Sequence, residues 1–250
     1  MSNRRFCRYL SARIGNKSSG HYSDISITSF YGSHIVNGAG NGGMLCLNNH
    51  KMYKEALLLR SWGRSSSLFK DNSEKIENRF NIKLDNIEYD RKFVFEKMGY
   101  NYEGSEISAA FALIQLKKLK KLISIRKRNF QSHLQFFKKY RELFILPKQL
   151  FNSETPWLAF PLIIKDNLQF KRKELQIFLE KKNIQTRVVF TGNILKQPGF
   201  KHLKKKNEHY PQADFVMRGG MLIGCHQGLN LKHLKYIHNS FDQFIKKFIK

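Results

Sequence analysis

The chain has 250 residues, with 45 Lys and Arg against 19 Asp and Glu, and therefore a formal net charge of +26 when histidine is neutral. Hydrophobic residues make up 41% and Phe occurs 21 times, so the chain can build a folded core and is not intrinsically disordered. This length allows one large or two small domains. The charge suggests an anionic partner, which could be nucleic acid, a membrane surface or a phosphorylated substrate.

The cysteines exclude two kinds of small domain. Cys7, Cys46 and Cys225 lie far apart, without the spacing of a zinc module or a disulfide framework, so no metal site is expected. No run approaches the ~20 apolar residues that cross a bilayer, and no apolar segment follows the basic start of the chain. We therefore expect a cytoplasmic protein without a membrane partner.

Hydrophobic periodicity divides the chain into two parts. In the first part the sequence predicts a strand at 24–30, a glycine-rich loop at 38–43, a strand at 43–48 and a helix at 49–61. The stretch 65–97 is polar and lacks a clean period, which indicates a long surface insertion or lid.

The segment from 105 to about 141 predicts one long amphipathic helix, in which a kink is allowed. Its apolar residues recur every three to five positions: Ile107, Phe111, Ile114, Leu119, Leu122, Ile125 and Phe130. Most of the positive charge lies here and on 165–182 and 201–206, which is typical of a solvated surface. Neither a reading helix nor a sheet with interleaved aromatics is recognisable, so no specific nucleic-acid partner is expected.

A second unit is predicted after Pro147, so the predicted domains are 1–146 and 147–250. Its predicted elements are strands at 157–164, 184–190 and 221–225 and helices at 170–182 and 231–249. The last helix should bury Leu234, Ile237, Phe241, Phe244 and Ile245 on one face. Alternating helices and strands indicate a small α/β or α+β domain.

The chemistry-bearing residues follow the first long strand. That strand runs through Ser29 into a glycine-rich turn that contains His34. A hydroxyl, free backbone N–H groups and an imidazole thus meet at the carboxyl end of a strand, where α/β folds bind ligands and where such turns suit phosphate. From these residues alone, an ordinary surface loop remains the alternative.

The segment 29–48, SFYGSHIVNGAGNGGMLCLN, resembles the cofactor-lysine segment of the DegT/DnrJ/EryC1/StrS sugar aminotransferases, which are fold type I pyridoxal-phosphate enzymes. The segments 59–64 (LRSWGR), 99–102 (GYNY) and 186–193 (TRVVFTGN) extend the likeness, in the family's order, over nearly the whole chain. The resemblance implies an α/β chain that forms the C-terminal part of a fold type I transferase, a partial large domain followed by a small α/β domain.

His34 stands at the position of the family's cofactor lysine, as in the 3-dehydratase branch of the family. Imidazole cannot hold pyridoxal phosphate covalently as a lysine does, but it can act as a base near neutral pH. The resemblance therefore implies non-covalent pyridoxal or pyridoxamine phosphate, with His34 as the catalytic base. The implied reaction removes the 3-hydroxyl of a nucleotide-linked 4-keto-6-deoxy sugar, as in synthesis of lipopolysaccharide O-antigen. A sugar aminotransferase is the alternative, which His34 disfavours.

Other roles follow from the resemblance alone. Ser29 matches a serine that contacts the cofactor phosphate, and Asn101 matches an asparagine that reaches the neighbouring subunit's cofactor in a homodimer. A turn residue that caps a helix is the alternative for Asn101. Arg60, Arg64 and Arg187 are candidates for binding substrate phosphates, with surface ion pairs as the alternative.

Two departures from the family pattern are visible. The stretch 65–70 has no cysteine where some dehydratases hold an iron–sulfur cluster, so we expect no cluster and expect glutamate to renew the aminated cofactor. At RRFCRYL, Cys7 and Leu10 match the family, but Arg4 and Arg5 occupy the positions of its acidic pair. An arginine there would repel a protonated pyridine ring.

The family's first half, which precedes that acidic pair, has no counterpart in the chain. We therefore expect an N-terminally truncated member that binds the cofactor weakly or not at all by itself. The remaining alternative is a non-catalytic basic fragment that pairs with a separately encoded amino-terminal half.

Overall fold

A computed structural model describes residues 6–7, 10, 12–69, 76–166, 168–205 and 208–248. The chain divides into two compact units, Met1–Lys117 and Lys118–Lys250. This division falls before the predicted domain boundary after residue 146, because the helix that begins at Leu119 packs on the sheet and the last helix of the second unit. Arg4 and Arg5 lie outside the described residues.

The first unit is built around the predicted strand pair. Its elements are β1 (Phe6–Cys7), β2 (Arg13–Ile14), β3 (Lys17–Ser18), β4 (Ile25–Ser29), β5 (Gly43–Leu47), α1 (His50–Arg60), α2 (Ile76–Phe80), β6 (Ile82–Leu84), β7 (Ile87–Tyr89) and α3 (Glu106–Lys117). Strand β4 pairs with β1 in parallel and with β5 in antiparallel orientation. The side chain of Asn49 caps α1 by accepting a hydrogen bond from the Met52 amide at 3.0 Å. The predicted strands at 24–30 and 43–48 and the helix at 49–61 are confirmed.

The stretch 65–97 contains more local structure than the predicted polar insertion. Strands β6 and β7 form a hairpin, and the two residues between them, Asp85 and Asn86, both have positive φ (48° and 68°). Two-residue hairpin turns favour this conformation, and Asp and Asn tolerate it better than most residues. The Asp-Asn pair was thus an available signal for a hairpin. Residues 70–75 of this stretch lie outside the described part of the chain.

The helix predicted from 105 to about 141, in which a kink was allowed, is interrupted at Lys118. Helix α3 ends at Lys117, and α4 (Leu119–Phe137) begins after Lys118 and continues into a 3-10 turn that ends at Tyr140. The two helices belong to different units. The apolar spacing continues across Lys118, so the sequence pattern did not show that two helices of different units lie here.

The second unit is a four-stranded antiparallel sheet covered by helices. Its elements after α4 are β8 (Phe144–Ile145), β9 (Ser153–Glu154), β10 (Ala159–Ile164), α5 (Arg172–Glu180), β11 (Thr186–Val188), α6 (Pro211–Gly219), β12 (Gly220–Gly224) and α7 (Leu231–Ile245). The sheet order is β11-β12-β10-β8, and every pair in it is antiparallel. The predicted strands and both predicted helices are present. Helix α6 was missed, although Pro211 in its first turn is a common start signal.

An aromatic core holds the second unit together. Phe137, Phe144, Phe160 and Phe241 are buried, with neighbouring ring centroids about 5 to 6 Å apart. The apolar face predicted for α7 is also buried. Full burial of each such side chain contributes ~2 kcal/mol to folding.

A buried histidine, His133, and a half-buried one, His238, join α4 to α7 and β12 in this core. His133 Nδ1 lies 3.0 Å from His238 Nε2, and His133 Nε2 lies 3.0 Å from the Gly224 carbonyl oxygen. Because a carbonyl only accepts, His133 donates through Nε2 and accepts the His238 Nε2–H through Nδ1. Burial lowers the pKa of each imidazole to about 4. The folded unit therefore holds both rings in the neutral form.

We predict that the second unit loses stability as the pH falls from about 6.5 towards 4. The unfolded histidines bind protons in this range and the folded ones do not, so protons favour unfolding. A pKa unit corresponds to about 1.4 kcal/mol, so the His133 shift contributes on the order of 3 kcal/mol. Urea unfolding at pH 7 and pH 5, followed by Trp157 fluorescence in a Trp62→Phe background, measures this loss.

The matched control for this measurement is an exposed histidine. His133→Gln should reduce the pH dependence, whereas His202→Gln, at an exposed position, should retain it. Equal pH dependence in the two variants would contradict a role for the buried pair.

Candidate active-site loop

The loop between β4 and β5 carries two of the predicted site residues. Ser29 is the last residue of β4, and its Oγ accepts a hydrogen bond from the Tyr31 amide at 3.2 Å. Backbone hydrogen bonds close the loop, from the Phe30 amide to the Gly42 oxygen at 2.9 Å and from the Gly38 amide to the Phe30 oxygen at 2.8 Å. The Ser29 hydroxyl oxygen thus accepts a hydrogen bond from the loop, and the hydroxyl hydrogen can donate to a ligand.

His34 lies in the same loop. Its amide donates to the Tyr31 oxygen at 2.9 Å, and its side chain is half-buried. The next two residues, Ile35 and Val36, are buried and anchor this part of the loop in the first unit. The predicted base and the predicted phosphate contact are therefore carried by one short, anchored segment at the carboxyl end of β4.

Glycines allow the loop to close. A Cβ at Gly38 would lie 2.5 Å from the Asn41 oxygen, and Gly40 and Gly42 have φ of +116° and +118°. Only glycine adopts such backbone angles readily. The glycine-rich sequence is thus required by the backbone path that positions Ser29 and His34.

A second group of predicted residues lies where the RSWGR segment meets the 97–102 segment. The Trp62 amide donates to the Tyr100 oxygen at 2.8 Å, and the Tyr102 amide donates to the Arg60 oxygen at 2.9 Å. A Cβ at Gly63 would lie 1.8 Å from the Lys97 oxygen, so the two backbones are in direct contact. Asn101 is exposed beside Ser61, with which it forms a β-bridge.

The three predicted arginines differ in their surroundings. Arg60 Nε lies 3.4 Å from Glu103 Oε1 in an exposed ion pair, which matches the surface alternative and contributes at most about 1 kcal/mol. The Arg64 guanidinium lies over the Trp62 ring at 4.2 Å, and within the described residues its buried Nε has no hydrogen-bond partner. Arg187 is exposed on β11 of the second unit.

A polar cavity in the second unit was not predicted. It has a volume of about 30 Å³ and is lined by Asn193, Leu195, Lys196, Lys204, Glu208, His209, Tyr210 and Asp214. Asn193 donates to Asp214 Oδ1 at 2.7 Å, and Lys196 lies 2.9 Å from the same oxygen. The family-like TGN segment therefore serves a local polar network, in a space that suits one water molecule.

Within the part of the chain that the structure describes, no group of three or more His, Cys, Asp or Glu side chains could hold a metal ion. No helix within the same residues is long and apolar enough to cross a membrane.

The chain belongs to the DegT/DnrJ/EryC1/StrS aminotransferase family, whose model matches residues 7–242. The resemblance and the expected fold class are thereby confirmed. Among its relatives is the lipopolysaccharide biosynthesis protein RfbH of Salmonella typhimurium, which is 29% identical over 95% of this chain and 55% of the relative. The GDP-4-keto-6-deoxy-D-mannose 3-dehydratase of Escherichia coli O55:H7 is 30% identical over 88% of this chain and 55% of the relative.

The fold comparison agrees with the family assignment. A crystal structure of GDP-4-keto-6-deoxymannose-3-dehydratase with a trapped PLP-glutamate geminal diamine has a TM-score of 0.78 and 25% identity, covering 92% of this chain and 58% of that protein. The chain thus spans about half the length of the curated relatives that it matches.

The described residues fit one side of the cofactor that this family implies. Ser29 offers a hydroxyl and His34 an imidazole, and the glycine loop brings both to the end of one strand. Hydroxyl and backbone N–H donors suit a phosphate, and an imidazole suits proton transfer. By the resemblance, the carboxylate that meets the pyridine nitrogen would fall at Arg4 and Arg5, which lie outside the described residues.

We predict that Gly38→Ala disrupts the loop, whereas Gly32→Ala does not. The new Cβ at position 38 meets the Asn41 oxygen at 2.5 Å, while a Cβ at position 32 meets nothing within 4 Å. Overpacking of this kind costs about 1–3 kcal/mol. Amide hydrogen exchange of residues 30–42 measures the effect, and equal protection in the two variants would contradict the loop geometry.

Proposed function

We propose that this chain is the carboxy-terminal, base-bearing part of a pyridoxamine-phosphate-dependent 3-dehydratase of nucleotide-linked 4-keto-6-deoxy sugars. The observation that carries the proposal is His34, at the position of the family's cofactor lysine, in a loop closed on the end of β4. An imidazole there favours proton transfer over covalent retention of the cofactor. Histidine rather than lysine at position 34 therefore favours a dehydratase over an aminotransferase of the same family.

Each residue of the loop has a distinct task in this proposal. Ser29 donates its free hydroxyl hydrogen to the cofactor phosphate while its oxygen accepts from the Tyr31 amide. His34 takes and returns the proton at the reacting carbon, a role that imidazole side chains fill in other enzymes. The bound cofactor supplies the electron sink. Loss of the sugar 3-hydroxyl as water then gives a 3-deoxy-4-keto sugar. The two electrons for this reduction would come from the aminated cofactor, whose nitrogen would leave as ammonia and be renewed from glutamate.

The relatives support the partners of this reaction. Two dehydratases of similar sequence are named for a GDP-linked 4-keto-6-deoxy sugar, and one crystal structure of this enzyme class traps glutamate on its cofactor. We therefore propose such a nucleotide sugar as substrate and glutamate as amino donor. The Salmonella relative supports a place in lipopolysaccharide synthesis, and the reaction belongs in the cytoplasm.

The remaining predicted residues have different proposed roles. Arg64 is the preferred contact to substrate phosphates, because its buried Nε has no hydrogen-bond partner among the described residues. Arg187 is exposed and remains a candidate, whereas Arg60 already has Glu103 as an ion-pair partner. Exposed Asn101 supports the homodimer, in which it would reach the other subunit's cofactor.

We predict that lysine placed at position 34 is captured by pyridoxal phosphate. After borohydride reduction, peptide mapping of His34→Lys should show at least about tenfold more labelling at residue 34 than Ser33→Lys shows at residue 33. Ser33 is the matched control because it is the adjacent residue and is exposed. Equal labelling at the two positions would contradict the proposed place of the cofactor.

We also predict that the 250-residue chain retains no cofactor after desalting. In this proposal the described loop would contact only one side of the cofactor, and by the resemblance Arg4 and Arg5 stand where the family has its acidic pair. Absorbance of the desalted protein after incubation with pyridoxamine phosphate measures retention. A stoichiometric cofactor band would show that the chain holds a complete binding site.

A further inference from the structure

The glycine loop after β4 contains the two Asn-Gly pairs of the chain, Asn37-Gly38 and Asn41-Gly42. An asparagine followed by glycine readily loses its side-chain amide, because glycine has no Cβ to hinder attack of its nitrogen on the asparagine Cγ. Asparagine is for this reason among the thermolabile residues of proteins. The attack requires a free amide nitrogen and a side chain that can turn towards it. Since the two pairs have the same sequence, a difference between them comes from the fold.

The fold protects the first pair. The Gly38 amide donates to the Phe30 oxygen at 2.8 Å, so its nitrogen is engaged in a backbone hydrogen bond. Asn37 Oδ1 accepts a hydrogen bond from the Ala39 amide at 3.3 Å, and the Asn37 side chain is half-buried. Gly38 itself is buried. Both reacting groups of the first pair are therefore restrained.

The second pair lacks these restraints. Asn41 is exposed, and its side chain makes no hydrogen bond to the part of the chain that the structure describes. The Gly42 amide likewise donates no hydrogen bond among the described residues, although the Gly42 oxygen accepts one from the Phe30 amide. Gly42 has a φ of +118°, which only glycine adopts readily. The backbone path that closes the loop thus places an unhindered glycine amide directly after an exposed asparagine.

We propose that Asn41 is a site of spontaneous deamidation that limits the lifetime of the closed loop. The Gly42 nitrogen bonds to Asn41 Cγ, the side-chain nitrogen leaves as ammonia with the proton of the Gly42 amide, and a cyclic imide remains. Water then opens this ring at either carbonyl, which gives aspartate or isoaspartate. Solvent reaches the exposed side chain for both steps. The proposal does not depend on the chemistry of His34, so it stands or fails separately from the proposed function.

The two products affect the loop differently. Aspartate leaves the main chain unchanged and adds one negative charge at an exposed position. Isoaspartate adds one carbon to the main chain between two paired carbonyls, that of Gly40, which accepts from the Gly32 amide, and that of Gly42. It also turns the Asn41 main-chain carbonyl into a carboxylate beside Gly38, where a Cβ would lie only 2.5 Å from the present oxygen. Isoaspartate therefore opens the loop, whereas aspartate does not.

Mass spectrometry of the aged chain tests which asparagine reacts. The folded chain is kept at mildly alkaline pH, and fragment masses of the tryptic peptide that contains both residues assign the conversion to one of them. Attack at Asn37 must first break the hydrogen bond of the Gly38 amide, and the net free energy of one such bond corresponds to a rate factor of about ten. We expect Asn41 to convert about tenfold faster than Asn37 in the folded chain, and at a similar rate in urea.

Hydrogen exchange of the aged chain tests the effect on the loop. We expect the Phe30 and Gly38 amides to lose protection in proportion to the isoaspartate content at position 41. Asn41→Gln is the matched control, because its longer side chain must close a larger ring; aged in the same way, it should retain protection. Unaged Asn41→Asp should also retain protection, since it adds only a charge.

The proposal is overturned by any of three results. The first is that Asn41 does not convert, or converts no faster than Asn37 in the folded chain. The second is full protection of the Phe30 and Gly38 amides in a chain that carries isoaspartate at position 41. The third is an equal loss of protection in aged Asn41→Gln.

Discussion

The hydrogen bonds that close the β4–β5 loop are the constraint on which the candidate site depends. The Gly38 amide returns to the Phe30 oxygen, and the Phe30 amide to the Gly42 oxygen, directly after Ser29. This closure fixes the hydroxyl of Ser29 by its hydrogen bond from Tyr31 and places His34 ahead of two buried residues. In the proposed function, the hydroxyl would donate to the cofactor phosphate and the imidazole would move the proton, and this one loop carries both groups.

The two units differ in how much of their apolar surface is buried. The second unit has a continuous aromatic core and holds the buried His133 and the half-buried His238 in neutral form, so its stability is sensitive to acid. The first unit carries the candidate loop, and the large apolar side chains of α3 and β5 are exposed. The residues of the candidate site therefore lie in the unit with the smaller buried apolar core.

Local sequence signals identified most elements and the site loop. Alternating and helical periods located β4, β5, α1 and α7, and the serine, histidine and glycines after β4 located the loop. A kink in this stretch was allowed, but its place at Lys118 could not be predicted, because the apolar spacing continues across it and only tertiary contacts assign the two helices to different units. The pairing of His133 with His238 joins residues far apart in sequence, so no local pattern indicated it. The sequence likewise did not predict that the apolar side chains of α3 are exposed, because its composition matches that of a buried helix.

The identity of residue 34 is the centre of the functional proposal, and product analysis tests it most directly. The chain, joined to the family segment that it does not span, is supplied with pyridoxamine phosphate, glutamate and a GDP-linked 4-keto-6-deoxy sugar, and the products are identified by mass spectrometry. We predict a 3-deoxy-4-keto sugar, formed with His34 and lost in His34→Asn. Formation of a 4-amino sugar that retains its 3-hydroxyl would contradict the dehydratase assignment.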